Sequence, residues 1–140
     1  DVYFYKKRTA DRFRKGRKEA KMELKEVMRQ QVFVVVGNTI NEDKYACRIK
    51  NRLIENAYTV YGVGKELASI NQVEDEIDII DLCINPKRGL ELIRTCTKPF
   101  KCIVIQPGAA NDELCAYLDE HKLPYIEGCL LVAMNTYPKF

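Results

Sequence analysis

The stretch Val32-Phe33-Val34-Val35-Val36-Gly37-Asn38 decides how the chain is read. An unbroken run of β-branched and aromatic residues closed by glycine fits a strand buried on both faces, as in a parallel sheet. A polar loop from Asn38 to Asp43 follows, and then a helix-like segment from Lys44 to Asn56. Strand, loop and helix in that order make an anion site. Glycine lets backbone approach an anion closely, and the first unbonded N–H groups of the helix point at it.

Downstream, the Lys44 to Asn56 segment places Ala46, Ile49, Leu53 and Ala57 on one side, as a helix packed on a sheet requires. Tyr58 to Val63 reads as a second strand, parallel to the first through a right-handed crossover. Gly62-Val63-Gly64-Lys65 closes it, with two glycines where backbone bends or lies close to a ligand. A short helix is expected near Asn71 to Asp75, and Ile77 to Leu82 is a third strand stopped at Asn85-Pro86. Pro86 suits the first turn of a helix reaching Cys96. Cys102 to Ile105 makes a fourth strand, ended by Gln106-Pro107-Gly108, and Asn111 caps a helix to His121. Leu123 to Ile126 supplies a short fifth strand, and Cys129 to Val132 is an apolar run of undecided type. The alternation predicts an α/β fold, a doubly wound parallel five-stranded sheet, binding ligands at the strands' carboxyl ends where the winding reverses. That rule selects residues 37–43, 62–65, 83–86 and 106–110 as converging loops.

Upstream, Thr9 to Gln30 has a strongly helical composition, making residues 1–31 a basic N-terminal helical extension of the domain at 32–140. The net charge of +3 divides unevenly: residues 1–31 hold 11 Lys/Arg against 5 Asp/Glu, the remainder 12 against 15. Phe13, Ala20, Leu24, Val27 and Met28 form a narrow apolar stripe, expected to be covered by the domain or by a second subunit of a homodimer. The cations Arg12, Arg14, Lys15, Arg17, Lys18 and Lys21 admit nucleic-acid or acidic-membrane contact. Glu19, Glu23 and Glu26 interrupt the basic run, so docking on protein is the preferred reading.

Several chemistries are excluded or disfavoured. The six cysteines show neither C-x-x-C nor zinc spacing, and their apolar surroundings suit reduced thiols in a cytoplasmic protein. No apolar run approaches membrane-spanning length, no secretory signal opens the sequence, and the natural start is expected upstream of Asp1. Gly37 lacks the later glycines of G-x-G-x-x-G, and no phosphate-binding P-loop is present. His121 and Ser69 are the only residues of their kinds, and neither stands in a catalytic pattern. Asp78 and Asp81, three apart on a strand, point to opposite faces and cannot form a dyad. The chain reads as a binder, with no catalytic residue and no metal site assigned.

Several motifs in order carry a resemblance: Val34-Val35-Val36-Gly37, Lys44-Tyr45-Ala46-Cys47-Arg48-Ile49, Asp78-Ile79-Ile80-Asp81 before Asn85-Pro86, Ile105-Gln106-Pro107-Gly108 with Asn111, and Glu127-Gly128-Cys129. Over residues 32–132 the sequence resembles the CoA-binding domain family, Rossmann-like single-domain proteins related to the CoA-binding part of the succinyl-CoA synthetase α subunit. The resemblance implies a coenzyme A or acyl-CoA ligand bound without catalysis. Gly37, Asn38 and Thr39 would line the phosphate loop, with Lys44, Tyr45 and Arg48 beside it. Val63, Gly64, Lys65, Cys83, Ile84, Asn85, Pro86, Gln106, Pro107 and Gly108 would contact adenine, ribose and the pantetheine arm. Cys83 or Cys129 would face the thiol end, or both would be small core side chains. The family commonly has serine at the position of Ala46 and Asn-Pro at Gly64-Lys65. The alternatives are an NAD(P)-binding redox or regulatory module, for which only Glu66 stands near the end of the second strand, and a structural partner subunit with a decayed site.

Overall fold

A computed structural model describes residues 22–140. In chain order the elements are α1 (Leu24–Val27), β1 (Val32–Gly37), α2 (Tyr45–Glu55), β2 (Thr59–Gly64), a 3-10 turn (Ile70–Gln72), β3 (Ile79–Leu82), α3 (Pro86–Arg94), β4 (Cys102–Ile105), α4 (Asp112–Glu120), β5 (Tyr125–Glu127) and α5 (Leu130–Thr136). The five strands are all parallel, in the order β2-β1-β3-β4-β5. This is the doubly wound, Rossmann-like sheet expected from the alternation. After β2 the chain crosses β1 and then builds in the other direction. Right-handed crossovers then put α2 on one face of the sheet and α3 and α4 on the other.

The two faces carry separate cores, divided by the strands' two-residue period. Val34, Val36, Ile80, Leu82, Ile103 and Ile105 meet Leu90, Ile93, Leu114 and Leu118 of α3 and α4. Phe33, Val35, Ile79 and Val104 meet Ile49 and Leu53 of α2, Leu130 and Met134 of α5, and Val27 of α1. Val27 is fully buried and Met28 nearly so, so the described part of the apolar stripe is covered by the domain itself. Phe13 and Ala20 lie outside the described residues.

The amino-terminal edge of the sheet is tied by side chains distant in sequence. The Tyr58 hydroxyl donates to the Met28 carbonyl at 2.6 Å, and its ring meets Phe33 edge-on at 5.0 Å. The Asp78 carboxylate accepts from the N–H groups of Gln31 and Val32 at 3.1 and 2.8 Å and pairs with Lys101 at 3.2 Å. Lys139 donates to Gln31 Oε1 and the Ala57 carbonyl at 2.6 and 2.9 Å and lies over the Tyr58 ring.

Several boundaries differ from those expected. Where described, the N-terminal helix stops at Val27 rather than Gln30, because Arg29 and Gln30 turn back onto Glu26 and Val27. The short helix expected at Asn71 to Asp75 is instead a 3-10 turn at Ile70–Gln72, set by Ser69 and Gln72 in a reciprocal capping box. Ile77 and Asp78 precede the third strand. Asp78 is therefore no strand residue: its carboxylate satisfies the N–H groups at the start of β1. The fifth strand lies two residues later at its start than Leu123, and the run from Cys129 opens α5.

Tyr58→Phe removes the donor of the buried Met28 carbonyl, and we expect a loss of about 1–3 kcal/mol in stability. Urea unfolding should show a lower midpoint at unchanged slope. An unchanged midpoint would mean that this bond does not hold α1 to the sheet.

Candidate functional site

The winding reverses between β1 and β3, and there the ends of the two strands meet the start of α2. A Cβ on Gly37 would stand 2.3 Å from the Cys83 carbonyl oxygen and 2.9 Å from Ala46 Cβ. Gly64, paired with Gly37 in register, has φ of 126°, and a Cβ there would stand 2.8 Å from the Gly37 carbonyl. Backbone from three strands thus closes around a point that no side chain could enter.

The loop after Gly37 holds its own shape. Asn38 Oδ1 accepts from the N–H groups of Ile40 and Asn41, and Asn41 Oδ1 from that of Asp43. Asn85 and Asn111 cap α3 and α4 by accepting from Arg88 and Leu114, whereas no side chain caps α2. The amino end of α2 therefore keeps unsatisfied N–H groups and the positive end of its dipole. Lys44, Arg48 and Lys65 are exposed around it, and among the described residues none makes an ion pair. Tyr45 is 59% exposed, with the Arg48 guanidinium 5.6 Å from its ring centre.

One acid closes the β2 side. Glu66 accepts from the Thr39 hydroxyl at 2.5 Å and from Lys50 at 2.7 Å. Lys50 and then Thr39 hold its carboxyl below the usual carboxylate range. Outside this contact an open groove of about 500 Å³ runs along β2, lined by Lys50, Ile54, Val60, Tyr61, Glu66 and Leu67. The groove lies beside the Gly37 seam, not on it.

Beneath the seam sits a second acid in a different state. Asp81, between Val35 and Val104 in register, is fully buried, and neither carboxylate oxygen has a hydrogen-bond partner. Burial alone pushes its carboxyl well above the ordinary 3.8. Burial, followed by Asp81 and Cys129, pushes the neighbouring Cys83 thiol up to about 12. Asp81, Cys83 and Cys129 thus form one half-hidden group at the carboxyl ends of the strands. Gln106 braces it from the other side, its Oε1 accepting from the N–H of Leu130 at 3.0 Å.

A family model, the CoA binding domain, matches residues 31–135. The chain belongs to the CoA-binding domain family. Membership carries a coenzyme A-binding role in general terms, and it places that role on the fold described above. Among solved structures, a conserved hypothetical protein from Pyrococcus furiosus is similar at TM-score 0.66 and 24% identity, over 74% of this chain and 97% of that one. A hypothetical protein from Pyrococcus horikoshii matches at 0.70 and 21%, over 79% and 85%. A protein from Thermus thermophilus matches at 0.68 and 18%, over 83% and 99%. These likenesses speak for the fold. No curated protein sequence matches the chain. Among the described residues no helix is long and apolar enough to cross a membrane.

Within this CoA-binding domain the expected residues divide into three groups. Gly37, Asn38, Lys44, Tyr45, Arg48, Gly64, Lys65 and Cys83 stand around the seam. Thr39 is buried, its hydroxyl given to Glu66, and the Val63 side chain points into the core under α3 and α4, leaving only its backbone at the edge. Asn85 and Pro86 start α3, Ile84 packs beside Gly89, and Pro107 and Gly108 form an exposed turn after Gln106, with Cys129 at the amino end of α5. Both departures from the usual family residues lie at the seam. Ala46 lies directly under Gly37, and Gly64 takes a backbone angle that asparagine would adopt only with strain. The contacts of Glu66 with Thr39 and Lys50 and the partnerless state of Asp81 escaped the sequence reading. For Asp81 a signal was present, an acid inside the run Ile77 to Leu82 read as a strand of a parallel sheet.

Two outcomes follow from these environments. Asp81 has a raised folded value, so its contribution to stability is complete below pH 4 and is lost as pH rises through the folded value. The melting temperature of Asp81→Asn relative to the unaltered protein should therefore climb with pH from about 4 upward; a pH-independent difference would show the carboxyl to be ionised inside the fold. With its thiol pushed up to about 12, Cys83 stays a neutral thiol at pH 7. Iodoacetamide followed by peptide mass spectrometry should therefore leave Cys83 unlabelled at pH 7, and rapid labelling would contradict the buried-thiol environment.

Proposed function

We propose that the protein binds coenzyme A or an acyl-CoA at the carboxyl edge of the sheet, without catalysis of its own. The observation that carries this reading is the uncapped start of α2 set against the Gly37 seam, with exposed Lys44 at its cap, Arg48 in its first turns and Lys65 directly after Gly64. A diphosphate there receives N–H groups of Tyr45 and Ala46 and the helix dipole, and the unpaired cations suit the remaining phosphate charge. The pantetheine arm then runs over Cys83 toward Gln106 and Cys129, past the buried carboxyl of Asp81. The neutral state of Cys83 argues against its attack on CoA disulfide.

A second reading has one observation in its favour. Glu66 stands at the end of β2, where dinucleotide-binding proteins hold the ribose hydroxyls with an acid. Here it is already engaged by Thr39 and Lys50, which favours the CoA reading.

Thermal melts with CoA, acetyl-CoA, NAD and NADP compared side by side test both. A ligand at 100 times its Kd adds about 2.7 kcal/mol of stability; we expect that gain from CoA or acetyl-CoA, and a gain from NAD alone would select the second reading. Arg48→Ala should weaken CoA binding by about 1–3 kcal/mol and flatten its salt dependence. Unchanged affinity would remove Arg48 from the phosphate site.

A further inference from the structure

The described chain begins beside the outer strand of the sheet. Leu24 packs with the core of the α2 and α5 face, and its Cδ1 stands 3.0 Å from where a Cβ on Gly128 would be, just past the end of β5. β5 is an edge strand, and edge strands call for a cover. The chain upstream of Leu24 therefore starts its course at this edge.

Around the same edge the charge is one-sided. Residues 111–129 carry Asp112, Glu113, Asp119, Glu120 and Glu127, all exposed, against Lys122 alone. Carboxylates of α4 and β5 lie near enough together for Glu127, Asp119 and Asp112 all to act on Cys115. The upstream segment is the complement: residues 1–21 hold nine Lys/Arg against three Asp/Glu, while residues 22–140 hold 14 against 17. Reach is ample, since 21 residues span about 32 Å even as a helix and β5 is only three residues long.

We propose that residues 1–21 dock on their own domain, across the edge of β5 and onto the acidic face of α4. Single exposed ion pairs contribute little. Many cations facing several carboxylates within about one Debye length add up, and they weaken together in salt. The docked segment covers the sheet edge and neutralises the acidic face.

Limited trypsin digestion of the full chain, followed by mass spectrometry, tests this, because the segment carries nine cleavage points. Cuts within residues 1–21 should be slow at low salt and about tenfold faster in 0.5 M salt, as screening shortens the Debye length. The combined variant Asp112→Lys, Glu113→Lys and Glu127→Lys should be cut fast in both, with its fold checked by circular dichroism. The salt series on the unaltered chain stands by itself if that variant does not fold. Rapid, salt-independent cleavage of the unaltered chain would overturn the proposal. So would protection that grows with protein concentration, which would place the segment on a second copy, or protection that requires added nucleic acid or anionic vesicles.

Discussion

No side chain can stand at position 37, and the carboxyl edge of the sheet is built on that exclusion. Gly37 lets the Cys83 carbonyl, the Ala46 methyl and the backbone of Gly64 approach one point, which joins β1 to β3 on one side and to β2 on the other. The same approach fixes where α2 begins and aims its amino end over the join. A methyl group there would push apart the central strands or lift α2, and either movement alters the sheet's central pairing and the loop from Asn38 to Asp43 together. Stability and binding geometry share a single atomic constraint.

Two aspartates three positions apart show how the sheet treats charge. Asp78, at the amino-terminal edge, is pulled both ways: burial raises its carboxyl, and the Val32 and Gln31 N–H groups with Lys101 outweigh burial and leave it below the usual range. Asp81, inside β3, has burial and nothing to oppose it. An unpartnered acid in a central strand costs stability, and such rule-breaking positions concentrate where binding or chemistry takes place. Its position under Cys83, at the switch point, fits that pattern.

The sequence showed the frame well and the side-chain contacts poorly. β1 and β4 were legible to the residue because unbroken β-branched runs of that length have one reading in a parallel sheet, and α2 was legible from Ala46, Ile49 and Leu53. The run from Cys129 was ambiguous because four apolar residues fit a buried strand as well as a helix start. Asp78 looked like strand by alternation, yet its carboxylate is claimed by N–H groups 46 and 47 positions away. At the site, Gly37, Lys44 and Arg48 announced themselves by residue type beside a strand end. The tie between Glu66 and Thr39 did not, since the two lie 27 positions apart and no local pattern joins them.

Lys139 gives the two edges of the sheet different fates. It ties Gln31, 108 positions earlier, and Ala57 into one knot with Tyr58, so the amino-terminal edge opens only when the whole domain does. Among the described residues the loops at the carboxyl edge are held by fewer long-range side-chain ties, those of Gln106 and Glu66, and they can open one at a time. Amide hydrogen exchange therefore divides the molecule across the strands rather than between them: slow at the closed edge, governed by global unfolding, and faster at the other, governed by local excursions. A ligand that binds only the native fold raises the free energy of global unfolding, and so slows the first class of amides as well.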